Sequence, residues 1–149
     1  MASIEDVTFS IYTAMKAFAD SEGLEFYSTS SIENATNILR EQVDRLILVQ
    51  THTKQEFFLD LYYAIFFSFS TTDINSIRFI ELISKLIDTF PKYSKLCVYN
   101  ADKLKEVPSI FEDTGVGMVV TDIKQKTAST TQMKDNLSMV ELKLSGYIK

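Results

Sequence analysis

Phe57-Phe58-Leu59-Asp60-Leu61-Tyr62-Tyr63-Ala64-Ile65-Phe66-Phe67-Ser68-Phe69 is the most apolar run of the chain, and the fold class turns on how it is read. Thr53 and Glu56 precede it at capping-box spacing, a pattern that opens helices. Read as a helix over about residues 54 to 69, the run spreads Phe57, Phe58, Tyr62, Tyr63, Phe66 and Phe67 around its whole circumference. A helix apolar all round needs cover on every side, from its own domain or from a partner. The run is too short for a bilayer span, which takes about 20 apolar residues, and Asp60 interrupts it. Just upstream, Leu46-Ile47-Leu48-Val49 is too short for periodicity to decide between helix and buried strand. Arg40, Asp44 and Arg45 continue a polar helical face, so the reading leans to helix and leaves the strand open.

Working outward, Ser3 is an N-cap followed by Glu5 and Asp6, acids that suit the positive end of a helix. Val7, Ile11, Met15 and Phe18 recur at helical spacing, and Gly23 fits the position just past the end. Leu24 to Tyr27 is extended or a short strand. Ser30 and Glu33 open a second predicted helix carrying Ile32, Ala35, Ile38, Leu39 and Val43. After the turn at Ser70 to Asp73, a further helix runs to about Phe90 before Pro91, and its short connection to the aromatic run predicts a helical hairpin.

Glycine is absent from Leu24 to Thr114, and proline is absent before Pro91, which favours helices in the front of the chain. The back reads differently. Lys95 to Tyr99 is a predicted strand, Ala101 to Glu106 and Pro108 to Glu112 are helical turns, and Gly115 to Lys124 is a second strand. Gln125 to Asn136 is a polar loop, and Leu137 to Ile148 is a strand with Val140, Leu142 and Leu144 on one side. The expected fold is therefore α+β, about four N-terminal helices packed on a small C-terminal antiparallel sheet, in one domain over residues 1–149.

Composition narrows function by exclusion. Hydrophobic residues make up 46% and charged residues 23%, which fits a globular chain rather than a disordered one. A net charge of -5 with scattered Lys and Arg argues against a nucleic-acid partner, because such binding needs clustered cations. Cys97 is the sole cysteine, which rules out an intrachain disulfide and a thiolate metal site and suggests buried packing in a strand. His52 is the sole histidine and is expected in a loop or cap. No charged stretch leads into an apolar one at the N-terminus, so a cytoplasmic setting is expected. Nucleotide-binding glycine motifs, an EF-hand loop and a nucleophile elbow are absent, and no cofactor or metal is expected.

The expected function is a non-enzymatic protein–protein interaction or assembly module, as a structural component or a small acidic inhibitor or immunity-type protein. Phe57, Phe58, Tyr62, Tyr63, Phe66 and Phe67 are its candidate contact residues. The partner is another protein, a second copy of this chain included, and no membrane is expected.

One set of residues points elsewhere. Asp122, in Val119-Val120-Thr121-Asp122-Ile123-Lys124, is followed on the next predicted strand by Glu141-Leu142-Lys143. An acid and then acid-x-Lys on adjacent strands resembles the motif of the PD-(D/E)xK nucleases, in which two carboxylates hold a divalent metal against the scissile phosphate. The resemblance implies Asp122 and Glu141 as metal ligands and Lys143 as the catalytic lysine, with Asp113 as a substitute for Asp122. Thr121 stands where that family has proline. Read without the resemblance, the same residues make a solvated β-face with cross-strand ion pairs.

Overall fold

The computed structural model describes residues 3–30, 43–55, 59–69, 75–128 and 137–146. Within them the decisive run is a strand. Strand β2 (Arg45–Gln55) and strand β3 (Leu59–Ser68) pair antiparallel, with Leu46 opposite Phe67 and Leu48 opposite Ile65. The predicted helices over these residues, and the helical hairpin built on them, are overturned. The physical reason is burial on both sides. Leu61, Tyr63 and Ile65 project to one face and Ala64 and Phe66 to the other, and all are buried. A strand covered on both faces loses its alternation and reads as a continuous apolar run. Aromatic and β-branched side chains such as Ile47, Val49, Tyr62 and Phe66 also fit a pleated surface better than a helix.

The expected architecture of four helices on a small antiparallel sheet gives way to a six-stranded mixed sheet that draws on both halves of the chain. Its order is β1-β2-β3-β6-β5-β4. Here β1 is Glu25–Thr29, β4 is Lys95–Tyr99, β5 is Asp113–Ala128 and β6 is Leu137–Gly146. The pairing of β1 with β2 is parallel and every other pairing is antiparallel. Three helices occur among the described residues: α1 (Ile4–Ser21), α2 (Asn75–Thr89) and the short α3 (Ala101–Leu104). The α+β class stands. Residues 31–42, where the second helix was predicted, lie outside the described residues, as does most of the polar segment after Ala128. Gln125 to Ala128 belong to β5 rather than to a loop, and Pro108 to Glu112 are not helical.

Helix α1 forms as its sequence dictates. The Ser3 hydroxyl accepts the Asp6 N–H and the Asp6 carboxylate accepts the Ser3 N–H, a reciprocal cap. Gly23 follows the C-cap with φ of 69°, a conformation that glycine adopts without strain. Val7, Ile11, Met15 and Phe18 are buried against the sheet. Each such side chain contributes about 1.5–3 kcal/mol, so one face of α1 outweighs the modest intrinsic cost of its β-branched residues.

The helix also crosses the sheet. Near its start Ser10, buried, accepts the Tyr99 N–H of β4 at 2.8 Å and donates to the Asp6 carbonyl at 2.7 Å. Asp6 accepts the Ala101 N–H at the start of α3. Near its end, Leu24 leads straight into β1 at the opposite edge. The match in size is close: 18 residues of helix span about 27 Å, and six strands span about 24 Å.

Helix α2 lies on the same face of the sheet, burying Leu82, Ile83, Leu86 and Phe90 in the shared core. Glu22, just past α1, binds α2 through Lys85 at 3.0 Å and Arg78 at 3.8 Å, and its carbonyl accepts Arg78 at 2.9 Å. The sheet closes this core with Leu46, Leu48, Leu61, Tyr63, Met118, Val120, Leu142 and Leu144. No helix among the described residues is long and apolar enough to cross a membrane.

Candidate functional site

Register divides the sheet into a helix face and a far face. Along β2 the helix face takes Leu46 and Leu48; along β6 it takes Leu142 and Leu144. Side chains alternate, so the residues between them fall on the far face. Two bulges interrupt this alternation. One lies between Gln50 and His52 in β2, the other between Val120 and Asp122 in β5. Each inserts one residue, Thr51 or Thr121, and so moves the next side chain across the sheet. Both threonines are anchored: Thr51 Oγ1 donates to the Tyr62 carbonyl at 3.1 Å, and Thr121 Oγ1 to the Lys143 carbonyl at 3.2 Å.

The bulges fall in one row. His52 pairs with Tyr62, Tyr62 with Lys143, and Lys143 with Asp122, so the four residues cross β2, β3, β6 and β5 side by side on the far face. The His52 and Tyr62 rings stack at 3.9 Å, and Lys143 Nζ lies 5.3 Å from the Tyr62 ring. Asp122 Oδ2 meets Lys124 Nζ at 3.3 Å. In the flanking row the Ser145 hydroxyl donates to Asp60 Oδ1 at 2.5 Å. Two expectations fail here. His52 is a strand residue stacked on an aromatic ring, not a loop or cap residue, and Cys97 is exposed on β4 rather than buried.

Of the nuclease-like residues, Asp122 and Lys143 face each other directly. Glu141 pairs with Lys124, two positions along the same ladder. Asp113 does not join them; it pairs with Tyr99 at the other end of β5, and its carboxylate accepts the Gly115 N–H. Among the described residues no group of three or more His, Cys, Asp or Glu is poised to hold a metal ion.

Of the aromatic contact candidates, Phe57 and Phe58 lie outside the described residues. Tyr63 and Phe67 are buried under the helices, Phe66 is buried on the far face, and Tyr62 is half-buried in the row with His52. Most of the aromatic area is therefore used within the chain. The Tyr63 hydroxyl is buried and, among the described residues, has no hydrogen-bond partner; burial, with the nearby Tyr12 second, holds its pKa well above the ordinary phenol value.

Among the described residues, part of β5 forms an open sheet edge. Strand β4 runs beside β5 only as far as Val120, whose N–H donates to the Ser94 carbonyl at 2.9 Å and whose carbonyl accepts the Tyr93 N–H at 2.6 Å. From Thr121 to Ala128, β5 has β6 on one side and, among the described residues, no strand on the other. On the far side of the hairpin, β3 pairs with β6 only from Val140 to Gly146. The described β3–β6 pairing ends at Val140, whereas the β5–β6 pairing continues to Ala128 and Leu137.

No protein-family model and no curated protein matches this chain. The reading of its surface rests on geometry. Sequence reasoning located the β5–β6 hairpin but missed the open edge, because strand neighbours are not encoded locally. It also missed the bulges, although the signal was present: buried Val120 and half-buried Ile123 stand three residues apart where an unbroken strand would space them by two.

Proposed function

We propose that this protein is a non-enzymatic interaction module that takes up a partner polypeptide as an added strand along the open edge of β5. The observation that supports the reading is the length of β5, which outruns β4, so that beyond Val120 no described strand lies along its other side. Such an edge offers a row of outward N–H and C=O groups, and strand addition satisfies them while side chains on alternate faces select the partner.

The test is position-specific photo-crosslinking in the cells that make the protein. A photoreactive residue at Lys124 or Gln125 is expected to give a discrete polypeptide adduct, and one at Glu81 or Asp88 on the exposed side of α2 is expected to give none. Absence of adducts at both edge positions overturns the reading.

The direct pairing of Asp122 with Lys143, with Glu141 two residues before Lys143 on the same strand, supports a second reading, a metal-dependent nuclease resembling the PD-(D/E)xK family. Its test is cleavage of DNA with manganese present. Activity that vanishes in Asp122→Asn and Lys143→Ala supports it, and no cleavage by the native chain removes it.

A further inference from the structure

We infer that the loop at 106–111, between α3 and β5, is a preformed knob that docks into an apolar pocket, bordered by lysine or arginine, on a partner protein. Three large apolar side chains stand out from it within five residues: Val107 is 98% exposed, Phe111 58% and Ile110 47%. Ile4, also exposed, starts α1 at the same end of the molecule, where the Glu5–Lys105 ion pair and the Asp6 bond to the Ala101 N–H join α1 to α3. Exposed apolar side chains gathered in one place and rimmed by polar groups mark interaction surfaces.

The loop is tied down along its length. At its base the Asn100 N–H donates to the Glu112 carbonyl at 2.8 Å, and the Phe111 ring stands edge-on to Tyr99 at 5.3 Å. Across its middle the Ile110 N–H donates to the Lys103 carbonyl at 3.0 Å, and the Ser109 hydroxyl to the Leu104 carbonyl at 2.9 Å. A loop already held in shape loses little freedom on binding, so more of its apolar area is realised as affinity.

Charge selects the occupant. Both lysines of this end are engaged: Lys103 with Glu106 at 3.4 Å, and Lys105 with Glu5, with Asp102 and Asp6 adding negative charge around it. Glu112 and Asp113 are exposed and, among the described residues, pair with no cation. The border of the knob is therefore net negative. A second copy would set the same acids against these, and an anionic membrane would repel them, so the complementary surface is a cationic rim on a different protein. The knob precedes β5 and lies about 35 Å along that strand from Lys124, so it is separate from the strand-addition edge.

A photoreactive residue at Val107, in the cells that make the protein, is expected to give a protein adduct whose attached peptide carries Lys or Arg beside apolar residues. Calorimetric titration of that purified protein with the full chain then gives the fold-changes. Val107→Ser, at a side chain too exposed to disturb packing, is expected to weaken binding about tenfold. Glu112→Lys with Asp113→Asn, which keeps an acceptor for the Gly115 N–H, is expected to weaken it about tenfold and to flatten its dependence on salt. Circular dichroism of each variant confirms that it is folded.

No adduct at Val107, or an adduct only to a second copy, overturns the proposal. So does binding unchanged in Val107→Ser, or a salt dependence that the charge variant leaves intact. Retention on phosphatidylcholine vesicles that Val107→Ser abolishes also overturns it, by assigning the knob to a membrane. Adducts at Lys124 or Gln125 with none at Val107 leave the strand-addition reading standing without the knob, and the reverse pattern leaves the knob standing alone.

Discussion

Replacing Tyr63 with Phe removes one oxygen from the centre of the molecule, and the structure gives both the sign and the size of the effect. The ring is fully buried under the helices, and its hydroxyl has no partner among the described residues. An unsatisfied buried hydroxyl costs about 1–3 kcal/mol, and deleting it leaves the packed ring in place. Tyr63→Phe should therefore raise stability by about 1 kcal/mol, which for a chain of this size is about 2–4 °C in Tm. Tyr63→Ala, which removes the ring as well, should cost about 3–5 kcal/mol through the cavity it leaves. The same hydroxyl adds a pH signature. Its folded pKa is raised above the unfolded value, so the folded state keeps a proton that the unfolded state releases. Native stability is therefore unaffected by this group below about pH 10 and falls as the pH rises above that, whereas Tyr63→Phe lacks this loss. Urea melts at neutral and alkaline pH, compared at constant m-value, measure both effects. A Tyr63→Phe variant less stable than the native chain by about 1 kcal/mol at neutral pH would refute the reasoning, because it would mean that the hydroxyl is satisfied.

Asp6 closes the α1 cap and accepts the Ala101 N–H. Burial pushes its carboxyl upward, but the N–H donors of Ala101 and Ser3 and the Ser3 hydroxyl together prevail and hold its pKa below the usual value. Asp6→Ala should cost about 1–2 kcal/mol at neutral pH. Because the folded pKa is depressed, that difference is present above about pH 4 and fades as the pH falls through the folded value, which acid titration of both variants would reveal. Arg45 is largely buried, donates to Glu25 at 2.9 Å and lies 4.7 Å from the Tyr27 ring. Arg45→Ala removes the bond to Glu25, which is about half exposed, together with the contact with Tyr27, and should cost about 2 kcal/mol in a urea melt. Arg45→Lys should recover only part of this, because an ammonium cannot reproduce the planar contact with Tyr27.

How much could be read in advance follows from where the information sits. Helix α1 was legible because Ser3, Asp6 and the Val7 to Phe18 spacing are local, and β6 was legible because Leu142, Lys143 and Leu144 alternate between a dry face and a wetter one. Strands β2 and β3 were not, because cover on two faces erases the period that separates strand from helix. Thr53 and Glu56 added a false start signal; Thr53 lies inside β2, opposite Leu61. At the candidate site the pairing of Asp122 with the Glu141 to Lys143 segment was foreseen from two adjacent predicted strands. The partners from the other half, His52 and Tyr62, depend on β3 meeting β6 and could not be.

That meeting has a kinetic consequence. The sheet is two three-stranded pieces, β1-β2-β3 from the first half of the chain and β6-β5-β4 from the second, and each contains a hairpin that can close within about 1–10 μs. Among the described residues the ladder between them is β3 with β6, which joins residues as distant as Leu59 and Gly146. Loop-closure entropy for that join must be met before its contacts reward it, so the seam sets the folding rate and places this chain among slow, high-contact-order folders. Helix α1 enters the same step late, because its Ser10 and Asp6 contacts with Tyr99 and Ala101 belong to the second half while its own strand, β1, belongs to the first. A ribosome that has released only the first half presents an amphipathic helix and three strands with the β3 edge unzipped. During synthesis, the stretch awaiting β6 is the apolar strand from Leu59 to Ser68, the segment of this protein that most needs protection until its own C-terminus arrives.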